Sequence, residues 1–157
     1  MISDVAAYLS LLREISRTLV SLTETAHQKI AAVRQDDLAA LNECIKREQA
    51  LSLSLRGFEQ KRAAATQALG LGSVPLSGLA AHCPTELQPE AKAAAEELLQ
   101  NYQLYRSAAE VARSTLECNL HQIEKILAAS GEEDVAGVGY AAAQPEPPAP
   151  LKTDFRA

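Results

Sequence analysis

Residues 91–126 read AKAAAEELLQNYQLYRSAAEVARSTLECNLHQIEKI. Within this stretch Ala91, Ala95, Leu98, Tyr102, Tyr105, Ala109, Ala112, Leu116, Asn119, Ile123 and Ile126 follow one another in alternating steps of four and three. Only Asn119 interrupts the apolar series. That rhythm keeps one face of an α-helix against a neighbouring helix for about ten turns, as in the seam of a left-handed coiled coil. A helix over residues 85–130 would be roughly 65 Å long. A rod of such helices offers a surface rather than an enclosed pocket.

A second ribbon lies on the same segment. Leu104, Ala108, Val111, Thr115 and Cys118 repeat the rhythm, displaced by roughly a third of the helix circumference. The opposite face carries Gln103, Arg106, Glu110, Arg113, Glu117, His121 and Glu124, a solvated face laced with opposite charges. The helix therefore has two contacts to satisfy. Two readings follow: both ribbons meet the other helices of a bundle, or one is shared with a helix of another protein by helix-in-groove recognition.

The rest of the chain supplies partners for such a rod. In residues 3–34, Val5, Leu12, Leu19, Ala26 and Val33 recur at steps of seven, and Leu9, Ile15, Leu22 and Ile30 fill the same face. Ser3 is expected to cap this helix, with Asp4 complementing its dipole. Gln35-Asp36-Asp37 breaks the pattern, and either Asp can cap a new helix after a tight turn; one continuous helix is the alternative. The second segment, 37–69, places Leu38, Leu41, Ile45, Leu51, Leu55, Phe58 and Leu69 on its apolar line, and Gly70 stops it. Residues 70–84, with Pro75, Gly78 and Pro84, form a connector in which Leu76 and Leu79 make one apolar turn over the bundle end. Thr85 or Gln88 begins the third helix, Pro89 sits in its first turn, and Gly131 ends it. Residues 132–157 hold four of the seven prolines and are expected to be a disordered tail. Leu151 and Phe155 near its end are candidates for a short partner motif, the alternative being a plain tail. The expected architecture is all-α: an elongated antiparallel bundle of three long coiled-coil-like helices over residues 1–131, followed by that tail.

Composition agrees with a thin bundle. The chain has 157 residues, 47% of them hydrophobic, yet no Trp and only two Phe. Alanine gives helix without volume, so closely approached helices fit better than a thick core. Twenty acidic residues against fifteen basic leave a charge of −5 and no basic cluster, which argues against nucleic acid as a partner. The N-terminal Met-Ile-Ser-Asp-Val lacks the basic region of a secretion signal. No run approaches the ~20 apolar residues of a membrane span. A cytoplasmic protein with no membrane insertion is expected. Cys44, Cys83 and Cys118 are scattered, with no C-x-x-C pair, and read as free thiols.

Catalysis has no foothold. Glu24-x-x-His27 has the spacing of a di-iron half-site, but such a centre needs a second copy and two further glutamates. The other histidines, His82 and His121, follow Leu79 and Cys118 at that spacing, so no second copy exists. His27 reads as a surface residue. His82 and Cys83 are adjacent, whereas a nucleophile and its base normally converge from separate segments. No metal, cofactor or glycine-rich phosphate loop is expected. Glu48 and Arg62 share the heptad column of Leu41, Leu55 and Leu69. They read as edge residues whose stems cover apolar surface while their charges stay in water. The alternative is an interhelical polar contact that fixes register.

The order of these elements resembles the FlgN-like family of flagellar type III export chaperones over about residues 5–130. The similarity rests on Leu22-x-x-x-Ala26-x-x-Lys29, Asp37-x-x-x-Leu41, Glu48-x-x-Leu51, Phe58-Glu59-x-x-Arg62 and Leu69-Gly70. A loop follows, then a last helix through Leu98, Asn101, Leu116, Ile123 and Leu127. Of the family's asparagine pair in that helix, only Asn101 is matched. The resemblance implies a cytoplasmic, non-catalytic chaperone for the hook-associated proteins that join hook to filament. It implies that an amphipathic helix of the cargo docks along the last helix at Leu116, Leu120, Ile123 and Leu127. It also implies contact with the export gate near the C-terminus, for which Tyr140 is the candidate. Leu104 and Val111 of the second ribbon complete the candidate partner-binding residues. The competing use of the apolar stripe is self-association, as a structural coiled coil or a weak homodimer.

Overall fold

The computed structural model describes residues 2–130. Every element among them is helical: α1 (Ile2–Arg34), α2 (Leu38–Ala68) and α3 (Gln88–Ser130), with three short 3-10 turns between α2 and α3. Helix α1 begins before Ser3, so Ser3 lies inside the helix and is not its cap. Helix α3 begins at Gln88 because Thr85–Leu87 winds as a 3-10 turn leading into it.

Helix α1 is the centre of the assembly. Its heptad residues Val5, Leu12, Leu19, Ala26 and Val33 are all buried, as are Leu9, Ile15, Leu22 and Ile30. It packs along both α2 and α3, whereas the backbones of α2 and α3 barely approach each other. Arg13 bridges Glu90 at 2.8 Å near the start of α3, and further along Ala26 and Ile30 cluster with Ala108 and Ala112. The order is thus up-down-up, with α3 running alongside α1 and antiparallel to α2. Small residues line the α1–α3 contact: Ala91, Ala94, Ala95, Ala108 and Ala112 are buried and let the two backbones come close.

Both turns follow from local chemistry. After α1, Asp36 takes a left-handed φ of 54°, which an aspartate tolerates better than most residues. The Asp37 N–H then donates to the Ala32 carbonyl. The Asp37 carboxylate caps α2 by accepting from the Ala40 N–H at 3.0 Å. Two separate helices result, not one bent rod. Asp37→Ala should lower the unfolding free energy by about 1 kcal/mol, measured by urea denaturation. Helix α2 ends at Gly70, whose φ of 71° suits the glycine. The Leu71 N–H reaches back to the Thr66 carbonyl and the Gly70 N–H to that of Gln67, closing the last turn. The connector then covers the end of the bundle. Leu71, Leu76, Leu79 and Cys83 are buried in one cluster with Val5, Tyr8 and Leu98.

Two expectations change. Arg62 is not an edge residue with a hydrated charge, and Glu48, still partly exposed, is engaged across the helix pair. Glu48 accepts from Lys29 of α1 at 2.8 Å, and the Lys29 side chain is largely buried. Arg62 pairs with Glu59 at 3.2 Å, beside Tyr8 and Thr66. Burial works against the Arg62 charge, but Glu59 and Tyr8 outweigh it and hold the guanidinium protonated. Glu48 ties α2 to α1 through Lys29; Arg62 reaches α1 through Tyr8, its ion pair with Glu59 lying within α2. The second change concerns α2 itself. Leu38 is 73% exposed and Ile45 also faces solvent, with Leu55 and Cys44 the buried apolar residues of this helix. A helix whose backbone lies close to α1 alone cannot cover so broad an apolar line.

Candidate partner-binding surface

The levels at which the helices end make the surface. Val33, Arg34 and Asp36, at the far end of α1 and its turn, lie beside residues 110–122 of α3. Helix α3 runs on past that stretch for roughly 12 Å. Its apolar stripe continues without a change of rhythm. Ala91, Ala95, Leu98 and Ala112 of the stripe are buried against the bundle, Leu116 and Asn119 are half-buried, and Ile123 and Ile126 are exposed, at 38% and 67%.

Leu116 and Leu120 stand level with the end of α1 and Ile123 and Leu127 lie beyond it, at steps of four, three and four, with Leu116, Leu120 and Leu127 half-buried. Leu104 and Val111 stand apart, 53% and 50% exposed on the flank of α3, with Cys118 exposed one heptad further on. Between the two readings of the second ribbon, the structure divides it. Ala108 packs against α1, and Leu104, Val111 and Cys118 face outward. Tyr140 and the proposed tail motif lie outside the described residues, as does Gly131. Ile126, a stripe residue outside the four expected cargo contacts, is the most exposed large apolar side chain of α3.

The charged face is as the pattern requires. Arg106, Glu110, Arg113, Glu117, His121 and Glu124 are all exposed, and Arg113 reaches Glu117 at 3.9 Å. Where α3 lies over the bundle, burial and the neighbouring Glu48 push the Tyr105 phenol up, so it stays a neutral packing group. Burial likewise raises the Cys83 thiol and keeps it unreactive. Glu24 and His27 are both exposed on α1. Among the described residues no three His, Cys, Asp or Glu side chains converge as a metal site, and no helix is long and apolar enough to cross a membrane. A cavity of about 240 Å³ lies where the connector meets Tyr8, Arg62 and Thr66. Its one charged side chain already pairs with Glu59.

A single long helix lies along the central α1 and projects beyond it with its stripe intact. The family model described as FlgN protein matches residues 1–146. This chain belongs to the FlgN family. Neither the curated proteins nor the solved structures gave a match. FlgN proteins are flagellar chaperones and not an enzyme family. Membership accounts for a molecule whose notable feature is an open helix face.

Proposed function

We propose that this protein is a cytoplasmic export chaperone that holds the terminal amphipathic segments of hook-associated proteins and delivers them to the type III export apparatus. The cargo helix docks on the C-terminal end of α3, against Leu116, Leu120, Ile123 and Leu127. Leu104 and Val111 serve a separate contact. Tyr140 is the residue assigned to the export gate. One observation carries this reading: the α3 stripe outruns α1, leaving Ile123 and Ile126 exposed.

The energetics suit a carrier. Ordering a flexible cargo segment costs ~2–5 kcal/mol of the gross interaction. An open apolar face offsets that cost and still releases the segment at the membrane. The exposed charges around the face, Glu124 and Lys125 among them, keep the free chaperone soluble while it waits.

Mixing the purified chain with a hook-associated protein should give a defined heterocomplex on size exclusion. Deleting the cargo's terminal helices should abolish it. A complex that survives the deletion, or no complex with any hook-associated protein, overturns the assignment.

A further inference from the structure

At steps of four or three, a line of nine positions runs along α2 from Leu38 to Gln67, and every one of them is exposed. The line lies on the side of α2 turned away from Cys44 and Leu55, the residues this helix buries. Leu38, Ile45 and Leu53 are its large apolar members. Asn42, Gln49, Gln60 and Gln67 interleave as amides, and Arg56 is its charged member. This is the rhythm of a coiled-coil seam, and it is roughly 40 Å long.

Charge selects what fits the seam. Of the carboxylates in α2, Glu48 and Glu59 are engaged by Lys29 and Arg62. Glu43 alone is exposed, near the start of the helix, against the exposed Lys46, Arg47, Arg56 and Lys61. Lys46 reaches Glu43 at 3.6 Å, whereas Arg56 enters no ion pair among the described residues. A chain of negative net charge thus presents a positive outer face on this helix. Ala39, Ala50 and Ala64 flank the line on one side, small enough for a second backbone to come close. A lipid surface is the poorer occupant, since it would strip water from the seam amides and offer no partner. A helix with polar side chains at the facing positions bonds them.

We propose that the outer face of α2 docks an acidic amphipathic helix of another protein, with its apolar ridge on Leu38, Ile45 and Leu53 and a carboxylate opposite Arg56. A guanidinium takes a carboxylate through two parallel hydrogen bonds, which fixes the register of the incoming helix. Three apolar anchors separated by amides make a narrow contact, short of the ~800 Å² per partner of standard stable interfaces. The complex is therefore reversible. The seam is on a different helix from Leu116, Leu120, Ile123 and Leu127, and it stands whether or not those residues carry export cargo.

Two labelled helical peptides test the pairing, alike in a ridge of Leu and Gln, one with Glu and the other with Lys beside that ridge. Fluorescence anisotropy with the full chain should show the Glu peptide binding about tenfold tighter than the Lys peptide. Arg56→Glu should abolish that preference, and adding Lys46→Glu should invert it. Leu53→Asp should weaken the Glu peptide by about 30-fold or more, with helix content on circular dichroism unchanged because the side chain is exposed. Ile123→Asp, on α3, should bind the Glu peptide as the parent does. Equal binding of the two peptides overturns the proposal, as does a preference that survives in the double variant or a Glu peptide lost in Ile123→Asp. Should Leu53→Asp lose helix, the Arg56 and Lys46 exchanges decide alone. With neither peptide bound, attachment to phosphatidylglycerol vesicles that Leu53→Asp abolishes assigns the face to lipid and overturns the proposal. Self-association in sedimentation velocity that Leu53→Asp abolishes, again with neither peptide bound, overturns it in favour of a second copy.

Discussion

Ile123→Asp should remove most of the affinity for cargo while leaving the chaperone folded. The side chain sits on the projecting end of α3, 38% exposed and beyond the last turn of α1. In the free protein the new carboxylate remains hydrated, so the melting temperature should hardly move, as for most surface substitutions. Under a docked cargo helix the same carboxylate loses its water with no partner to replace it. Central apolar positions of an interface commonly contribute ~2–4 kcal/mol, which is about 30- to 1,000-fold in Kd. Titration calorimetry against a hook-associated protein measures the loss, and circular dichroism supplies the control. Glu110→Lys, on the solvated face, should change affinity by no more than a few-fold. An Ile123→Asp protein with full cargo affinity would remove the projecting end from the binding site. One that melts as early as a core variant would show that Ile123 belongs to the bundle's own packing.

Much of this architecture is written in local spacing. The four-three rhythm of residues 91–126 identifies α3, the heptads of Val5 to Val33 identify the buried face of α1, and Asp37 and Gly70 mark the two turns. What spacing cannot convey is the level at which separate helices meet. That level is set by the connector, whose 3-10 turns and buried Leu71, Leu76 and Leu79 bring the start of α3 beside Arg13. The projection of α3 past Arg34 follows from that start and from its own length. The polar ties were hidden for a related reason. Glu48 has its partner Lys29 nineteen positions earlier, on another helix, and nothing within α2 announces it. The exposure of Leu38 has the same origin: the pattern gives the width of an apolar face, not the number of neighbours that cover it.

Leu12→Ala should cost about 3–5 kcal/mol of stability, the upper part of the range for leucines truncated in a core. Leu12 is fully enclosed on α1, the helix that packs against both others. Its cluster includes Ala91, Ala94, Ala95 and Leu98 of α3. Refilling the void would require neighbouring side chains to swing in, and an alanine has no rotamer to offer. The backbones have little room to close the gap either, because the alanine seam already brings α1 and α3 together. The lost transfer energy and an unrelaxed cavity therefore add. For a helical unit of this size the melting temperature should fall by roughly 10–15 °C. Leu53→Ala makes the same chemical change on α2 at a side chain 71% exposed and should stay within ~0.5 kcal/mol of the parent. Thermal melts of the two variants measure the contrast directly. Equal losses would mean that α2 buries a face the structure leaves open. A small loss at Leu12 would mean that α1 is not the helix on which the other two depend.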